Sequence, residues 1–508
     1  MQSLPARQRV VRALPAVGVG LLTLGQLVLV AAGLPGVRAI PGWFYGPATR
    51  GLGAGWAMAA VCLLTPWLVH HTLRAARRGN VGLTLVAALT LGLATQALFI
   101  PLDAKREGSL LARHDGGHGE FHQIARSQRG HVIATLQHYE ERVEAHELGA
   151  FTPTKPPGAL AFYALLDSLG RGPLAGHLTS LRELAQTNVR VAVYEDGFTA
   201  AAVAFPILTA LLLPLVVLLG ARLHAPPDAL GPSDGGEPPE PHAGLRAGAA
   251  AAVLTATSPA LLLITYHLDG ALYPLVTTLS LWLVGLAMRV HAATRGPSLS
   301  AKVMGLALLA GVTFGAGLYV SYSLLPALGL VLGVVLALGL ATPHRARPLR
   351  RGLLTLLGFA LGAAAVTGAL VVLLNYHPTA RFTAAMAYHE RWKASVPSGP
   401  WRGWALLEWS LYAGFPLVGL LLARAAASLG RVGDARRVAS TLLPLGVAAL
   451  LLVTSAWSGT NEVARMWLLF VPVAAVAAVR SPSRKFSVEA LAGAQLLLAL
   501  VMKANQPW

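Results

Sequence analysis

Apolar runs near or above the roughly 18 residues needed to cross a bilayer recur from one end of this 508-residue chain to the other. About thirteen can be counted by a hydropathy window. The early ones cover about Leu14–Gly33, Gly55–Leu73 and Leu83–Pro101; a middle group covers Thr199–Ala221, Ala247–Tyr266, Ala271–Met288, Met304–Val320, Tyr322–Ala341 and Leu353–Leu374. The last group is Trp404–Ala423, Thr441–Ala456, Trp467–Val479 and Leu491–Met502. A chain that is 55% hydrophobic and 12% charged has more apolar surface than a soluble core can bury. The fold class expected is all-α: a polytopic transmembrane bundle of about thirteen spans.

Lysine and arginine set the expected orientation. With a cytoplasmic N-terminus (Arg7, Arg9, Arg12), the short loops on that side carry Arg74, Arg77 and Arg78; Arg289, Arg295 and Lys302; and Arg345, Arg347, Arg350 and Arg351. Arg424, Arg431, Arg436 and Arg437, then Arg480, Arg484 and Lys485, complete the pattern. Each of these loops is basic, as the positive-inside rule requires. The net charge of +18 is therefore spread over many short loops, an arrangement that argues against a nucleic-acid patch. A lone cysteine, Cys62, excludes a disulfide framework. The first span has no clear cleavage pattern and reads as a retained anchor. A composition rich in Ala, Arg, Gly and Leu makes a bacterial plasma membrane the simplest location.

Three segments follow: a three-span part (1–101), an external polar region with juxtamembrane helices (102–198) and the remaining bundle (199–508). A Pro-, Gly- and acid-rich cytoplasmic connector, expected to be disordered, lies at 225–244. No internal repeat of the secondary-transporter kind is visible. The external region holds twelve of the 22 acidic residues and seven of the 16 histidines, so the polar chemistry is concentrated there. Within it, 158–170 is a thirteen-residue apolar helix candidate, roughly 20 Å long, too short to cross and so expected to be half-embedded. The prolines of "TPTKPPG" suit a helix's first turn and hold Lys155 at its start, where a cation and free backbone N–H groups make an anion site.

Four motifs carry a resemblance. These are "HDGGHGEFHQIAR" (114–126), "TKPPGALAFYALL" (154–166), "SPALLLITYHLDGALYPL" (258–275) and "WSGTNEVARMWLLFVP" (457–472). In order and sidedness they are similar to the "DE..Y..IAR" and "KPP" elements, the second external acid and a "G...GE..R.W...P" pattern of the GT-C superfamily of integral membrane glycosyltransferases. That superfamily includes protein O-mannosyltransferases and the aminoarabinose transferase of lipid A. The resemblance implies transfer of a sugar from a polyprenyl-phosphate donor to an external lipid, glycan or protein acceptor, with an acid of the first long external loop as catalytic base or substrate-orienting carboxylate. Alignment on "IAR" sets the family's acidic pair on Gly117 and His118, so either Asp115 or Glu120 takes that role. Three spans precede the loop, where the best-known relatives have one.

The chemistry itself asks for a base on the acceptor hydroxyl and cationic partners for the departing phosphate. The candidates are Asp115, Glu120 and Asp269 for the first, and Lys155, Arg465 and Arg391 for the second. Asp269 interrupts two apolar stretches, where an ionisable side chain is costly; its alternative is to cap the following helix. Asp115 and Glu120 are alternatively surface acids, Lys155 a snorkelling lysine, and Glu462 and Arg465 a local pair. His118 and His122, four apart on a helix, offer a weak divalent-metal pair; no cofactor is required. The segment 375–393 reads as an amphipathic interfacial helix with Tyr388, His389, Arg391 and Trp392. Two other readings stand: a polyprenyl-lipid transporter or flippase, and a non-catalytic membrane scaffold.

Overall fold

The computed structural model describes residues 6–32, 55–102, 117–184, 195–224, 242–264, 268–293, 300–340, 348–393, 401–429, 438–457, 463–479 and 487–505. Every regular element among them is a helix. Among the described residues, seven helices are long and apolar enough to cross a membrane: Gly55–Arg77, Val81–Phe99, Gly197–His224, Leu268–Val290, Ala301–Val320, Tyr322–Gly339 and Arg350–Leu374. An eighth is reached if the pair Trp404–Ala413 and Phe415–Leu429, bent by 111°, is one span. Val17–Val30, Ala243–Ala256, Leu442–Ser455 and Trp467–Ala478 are apolar but shorter. The chain is thus a multi-pass helical membrane protein. Large side chains such as Leu63, Leu353 and Val372 point outward, where lipid would cover them.

Two of the runs that hydropathy reads as continuous are broken. One stops at Thr257 and restarts at Ser258–Pro259, with the Ser258 hydroxyl accepting from Leu261 N. The other turns at Gly414, whose φ of +88° is the left-handed region that glycine tolerates. Backbone groups freed inside a bilayer need partners, and buried glutamines supply them. Gln26 donates to Leu411 O (2.7 Å) and accepts from Phe415 N (2.7 Å), while Gln495 donates to Ala413 O (3.1 Å) and accepts from Thr257 Oγ1 (3.0 Å). Gln96 donates to Leu261 O at 2.8 Å.

Glycines set the closest helix contact. A Cβ on Gly311 would lie 1.9 Å from Phe359 O, and one on Gly362 2.1 Å from Leu308 O. Gly311 and Gly315 on Ala301–Val320 therefore lie against the backbone of Phe359 and Ala363, Gly362 on Pro348–Leu374 against that of Leu308, and Gly358 against the Ala307 and Met304 side chains, a small-xxx-small packing. Both helices begin with basic residues (Lys302; Arg350 and Arg351) and carry tyrosines at or beyond their other ends (Tyr319; Tyr376).

The 117–184 region forms its own small core at that tyrosine-bearing end. Phe121, Tyr139, Leu160, Tyr163, Leu166 and Phe205 are buried in it. The expected half-embedded helix is Pro157–Arg171. It packs on Gly117–Ser127, on the long helix Glu195–His224 and on Ala301–Val320. At Gly158 a Cβ would lie 2.2 Å from Tyr319 O, so glycine lets the helix start directly against the bundle. The connector expected at 225–244 lies outside the described residues except for its end, where helix Ala243–Ala256 has already begun.

Candidate active site

Asp269 stands in the first turn of Leu268–Ala293 and is fully buried. Its carboxylate pairs with Arg465 (Nε to Oδ2, 3.0 Å), which the short turn Val463–Met466 brings across from the C-terminal part of the chain. One turn along, Tyr273 also engages Asp269, and its hydroxyl donates to Ser321 Oγ at 2.5 Å. Tyr163 faces the pair from the Pro157–Arg171 helix: burial pushes its hydroxyl well above the ordinary range, the Asp269 charge adds to that, and Arg465 opposes it. Glu408 is a buried acid that sequence reasoning passed over; it lies on Trp401–Ala413, the helix packed against the Arg465 turn.

A second cluster surrounds Lys155. Glu120 does not stand free: its carboxylate accepts the backbone N–H groups of Ala150 (3.0 Å), Phe151 (2.9 Å) and Thr152 (2.5 Å). A Cβ on Gly149, at φ +68°, would sit 2.3 Å from the Glu120 carboxyl carbon, so glycine admits the carboxylate. On the other side of the same turn, the fully buried Arg381 donates to Pro153 O (2.8 Å) and Glu140 Oε2 (2.9 Å) and lies over the Tyr139 ring at 5.5 Å. Burial raises the Glu140 carboxyl even though Arg381 pulls it down. The Tyr139 hydroxyl donates to Thr152 O at 2.9 Å and Lys155 O at 3.3 Å. Lys155 Nζ lies 5.9 Å from the Phe151 ring centroid; among the described residues it has no acidic partner.

The two clusters are continuous. Ser321, bonded to Tyr273, precedes Tyr322, whose hydroxyl lies 2.9 Å from that of Tyr376. Tyr319 packs edge-on against Tyr376 (5.1 Å), and Tyr376 leads into the helix Pro378–Lys393 that carries Arg381. Asp269, Arg465 and Lys155 therefore border one tyrosine-lined end of the bundle.

The remaining candidates are placed otherwise. Asp115 and Glu462 lie outside the described residues, as does the side chain of His118. Arg391 is exposed and stacks over Tyr388 of its own helix at 5.2 Å; Arg381, almost three turns earlier, is the buried cation of that helix. Among the described residues no three His, Cys, Asp or Glu side chains gather in metal-binding range. His122 instead packs edge-on against Tyr163 at 4.6 Å. Asp167, also unforeseen, is buried and takes two hydrogen bonds from Arg129 (2.9 and 2.7 Å) and one from Arg171 (3.2 Å). Burial works to raise its carboxyl, and these arginines hold it below the usual range.

His122 yields a pH prediction. Burial lowers it to about 4, against the pull of Asp167. The folded protein keeps this ring neutral while the unfolded chain protonates near pH 6.5, so its contribution is lost as pH falls through that window. Between pH 7 and 5 the cost is about 2 kcal/mol. Thermal melts in detergent should show that loss in the wild type and a flatter profile in His122→Gln; equal slopes would remove His122 as the cause.

No family model, curated protein or solved structure matches the chain.

Proposed function

We propose that this chain is a membrane glycosyltransferase of GT-C type. It moves a sugar from a polyprenyl-phosphate donor to a lipid, glycan or protein acceptor on the external face of a bacterial plasma membrane. On this reading the broken and short apolar helices count among about thirteen membrane segments, and the N-terminus is cytoplasmic. The observation that carries it is the buried Asp269–Arg465 pair, at the same end of the bundle as the Lys155–Pro156–Pro157 turn. A carboxylate is costly inside a membrane protein and needs a reason to be kept. An acceptor hydroxyl needs a base and a departing phosphate needs cations, and this end of the bundle has both.

In this mechanism Asp269 takes the acceptor proton or orients the acceptor, Arg465 and Lys155 face the phosphate, and Asp115 is the loop acid that completes the site. Glu120 holds the turn through backbone N–H groups, which fits support better than proton transfer. The broken helices at Thr257–Ser258 and Gly414 favour a second reading, a lipid transporter, because discontinuous helices often line transport sites. Against it, backbone groups at the Gly414 break are already taken by Gln26 and Gln495, and Leu261 O beyond the Thr257–Ser258 break by Gln96.

The test is transfer of label from polyprenyl-phosphate sugars to membrane acceptors by proteoliposomes. Wild type should transfer, and Lys155→Ala should raise the donor KM about tenfold with a smaller change in kcat, the loss of one charge-assisted contact. Movement of labelled lipid between leaflets with no sugar transfer would replace this reading with the transporter.

A further inference from the structure

We propose that Arg381 is a positioning residue for the Lys155 anion site, holding the turn that presents the ammonium; this rests on the donor-phosphate reading of Lys155. The turn is held from both sides. Glu120, from Gly117–Ser127, takes three successive N–H groups at 150–152, and Arg381, from Pro378–Lys393, binds the carbonyl of Pro153, two residues before Lys155. Tyr139, under the Arg381 guanidinium, fixes the carbonyls of Thr152 and Lys155.

A guanidinium with no exposed surface is expensive to bury, and one ion pair seldom repays that cost. Arg381 is kept although its Nε, also buried, has no hydrogen-bond partner among the described residues. Its two terminal nitrogens bridge two elements, Glu140 on the helix Tyr139–Glu144 and Pro153 on the turn, with a rigid fork that a lysine's ammonium does not reproduce. Arg381 follows directly on the glycine-packed span pair through Tyr376, which contacts Tyr319 and Tyr322. The height of Lys155 over the bundle is thus set by a side chain 226 positions away, because the Arg381 clamp and the Gly158–Tyr319 contact fix both sides of the turn.

The experiment combines two measurements on the full chain in detergent: amide hydrogen exchange across 149–155, and binding of a short-chain polyprenyl phosphate with the matching polyprenol as control. In Arg381→Ala, exchange at 149–155 should rise at least about tenfold while 117–127 stays protected. Phosphate binding should weaken about tenfold, as in Lys155→Ala, and the double variant should bind no worse than Lys155→Ala alone. Arg381→Lys should rescue only in part, and it carries the same test if the alanine variant does not fold.

Unchanged exchange in Arg381→Ala overturns the inference whether or not phosphate binds. Losses that multiply in the double variant also overturn it, because Arg381 would then act independently of Lys155. If exchange rises as expected but the wild type binds polyprenyl phosphate no better than polyprenol, the donor reading fails and the assignment to an anion site fails with it.

Discussion

On the proposed glycosyltransferase reading, Asp269→Asn should lower sugar transfer about a thousandfold, the middle of the range for removing a general base, with donor KM changing much less. The substitution keeps the side chain's size and removes its charge and proton affinity. It also leaves Arg465 without its 3.0 Å partner, which destabilises by itself. For a buried pair the loss is about 3–5 kcal/mol, and Arg465, with 21% of its side chain exposed, belongs at the lower end. The two effects separate in the double variant Asp269→Asn/Arg465→Gln. If Asp269 serves only to neutralise Arg465, removing both charges restores melting temperature and kcat and leaves only the raised donor KM of a lost Arg465 contact. If Asp269 acts on the acceptor, stability recovers and kcat stays low. Transfer close to wild type in a well-folded single variant would remove Asp269 from the chemistry altogether.

Of the roughly thirteen expected spans, seven, or eight with the bent pair, stand among the described residues as helices long enough to cross. They were legible because a bilayer demands a backbone satisfied within the segment, which a long apolar helix provides. Their breaks were not, since hydropathy counts composition and is blind to direction. Ser258–Pro259 and Gly414–Phe415–Pro416 carried the local signal, but the partners that make breaks affordable, Gln26 and Gln495, lie far away in sequence. Asp269 was legible from its cost, and its pairing with Arg465 was not, because Glu462 stood nearer in sequence. Glu120 looked like a reactive acid for the same reason that it makes a good anchor: it is a carboxylate at the start of a helix facing a glycine-containing turn. Arg381 was invisible. It sits among ordinary polar residues of the helix Pro378–Lys393, and its partner Glu140 is 241 positions away.

The glycine contact between Ala301–Val320 and Pro348–Leu374 should be the least tolerant point of the fold. In Gly311→Leu the new Cβ would lie 1.9 Å from Phe359 O, and the obstacle is backbone, which no rotamer change can move aside. The two helices must separate by an ångström or more along a face where Gly315, Gly358 and Gly362 are also packed. Overpacking of side chains costs about 1–3 kcal/mol; displacing two backbones belongs at or above the upper end. Gly368→Leu on the facing helix Pro348–Leu374 is the control, since nothing lies within 4 Å of the Cβ it would add. The expected result is a large fall in melting temperature or loss of folded protein for Gly311→Leu and little change for Gly368→Leu. Where Gly311→Ala still folds, sugar transfer should fall more than stability does. The contact sets the distance between Tyr322 and Tyr376, and through Tyr376 the placement of Arg381 beneath the Lys155 turn. Equal tolerance at positions 311 and 368 would mean that the helices approach less closely, and the tyrosine bridge would then need another source of alignment.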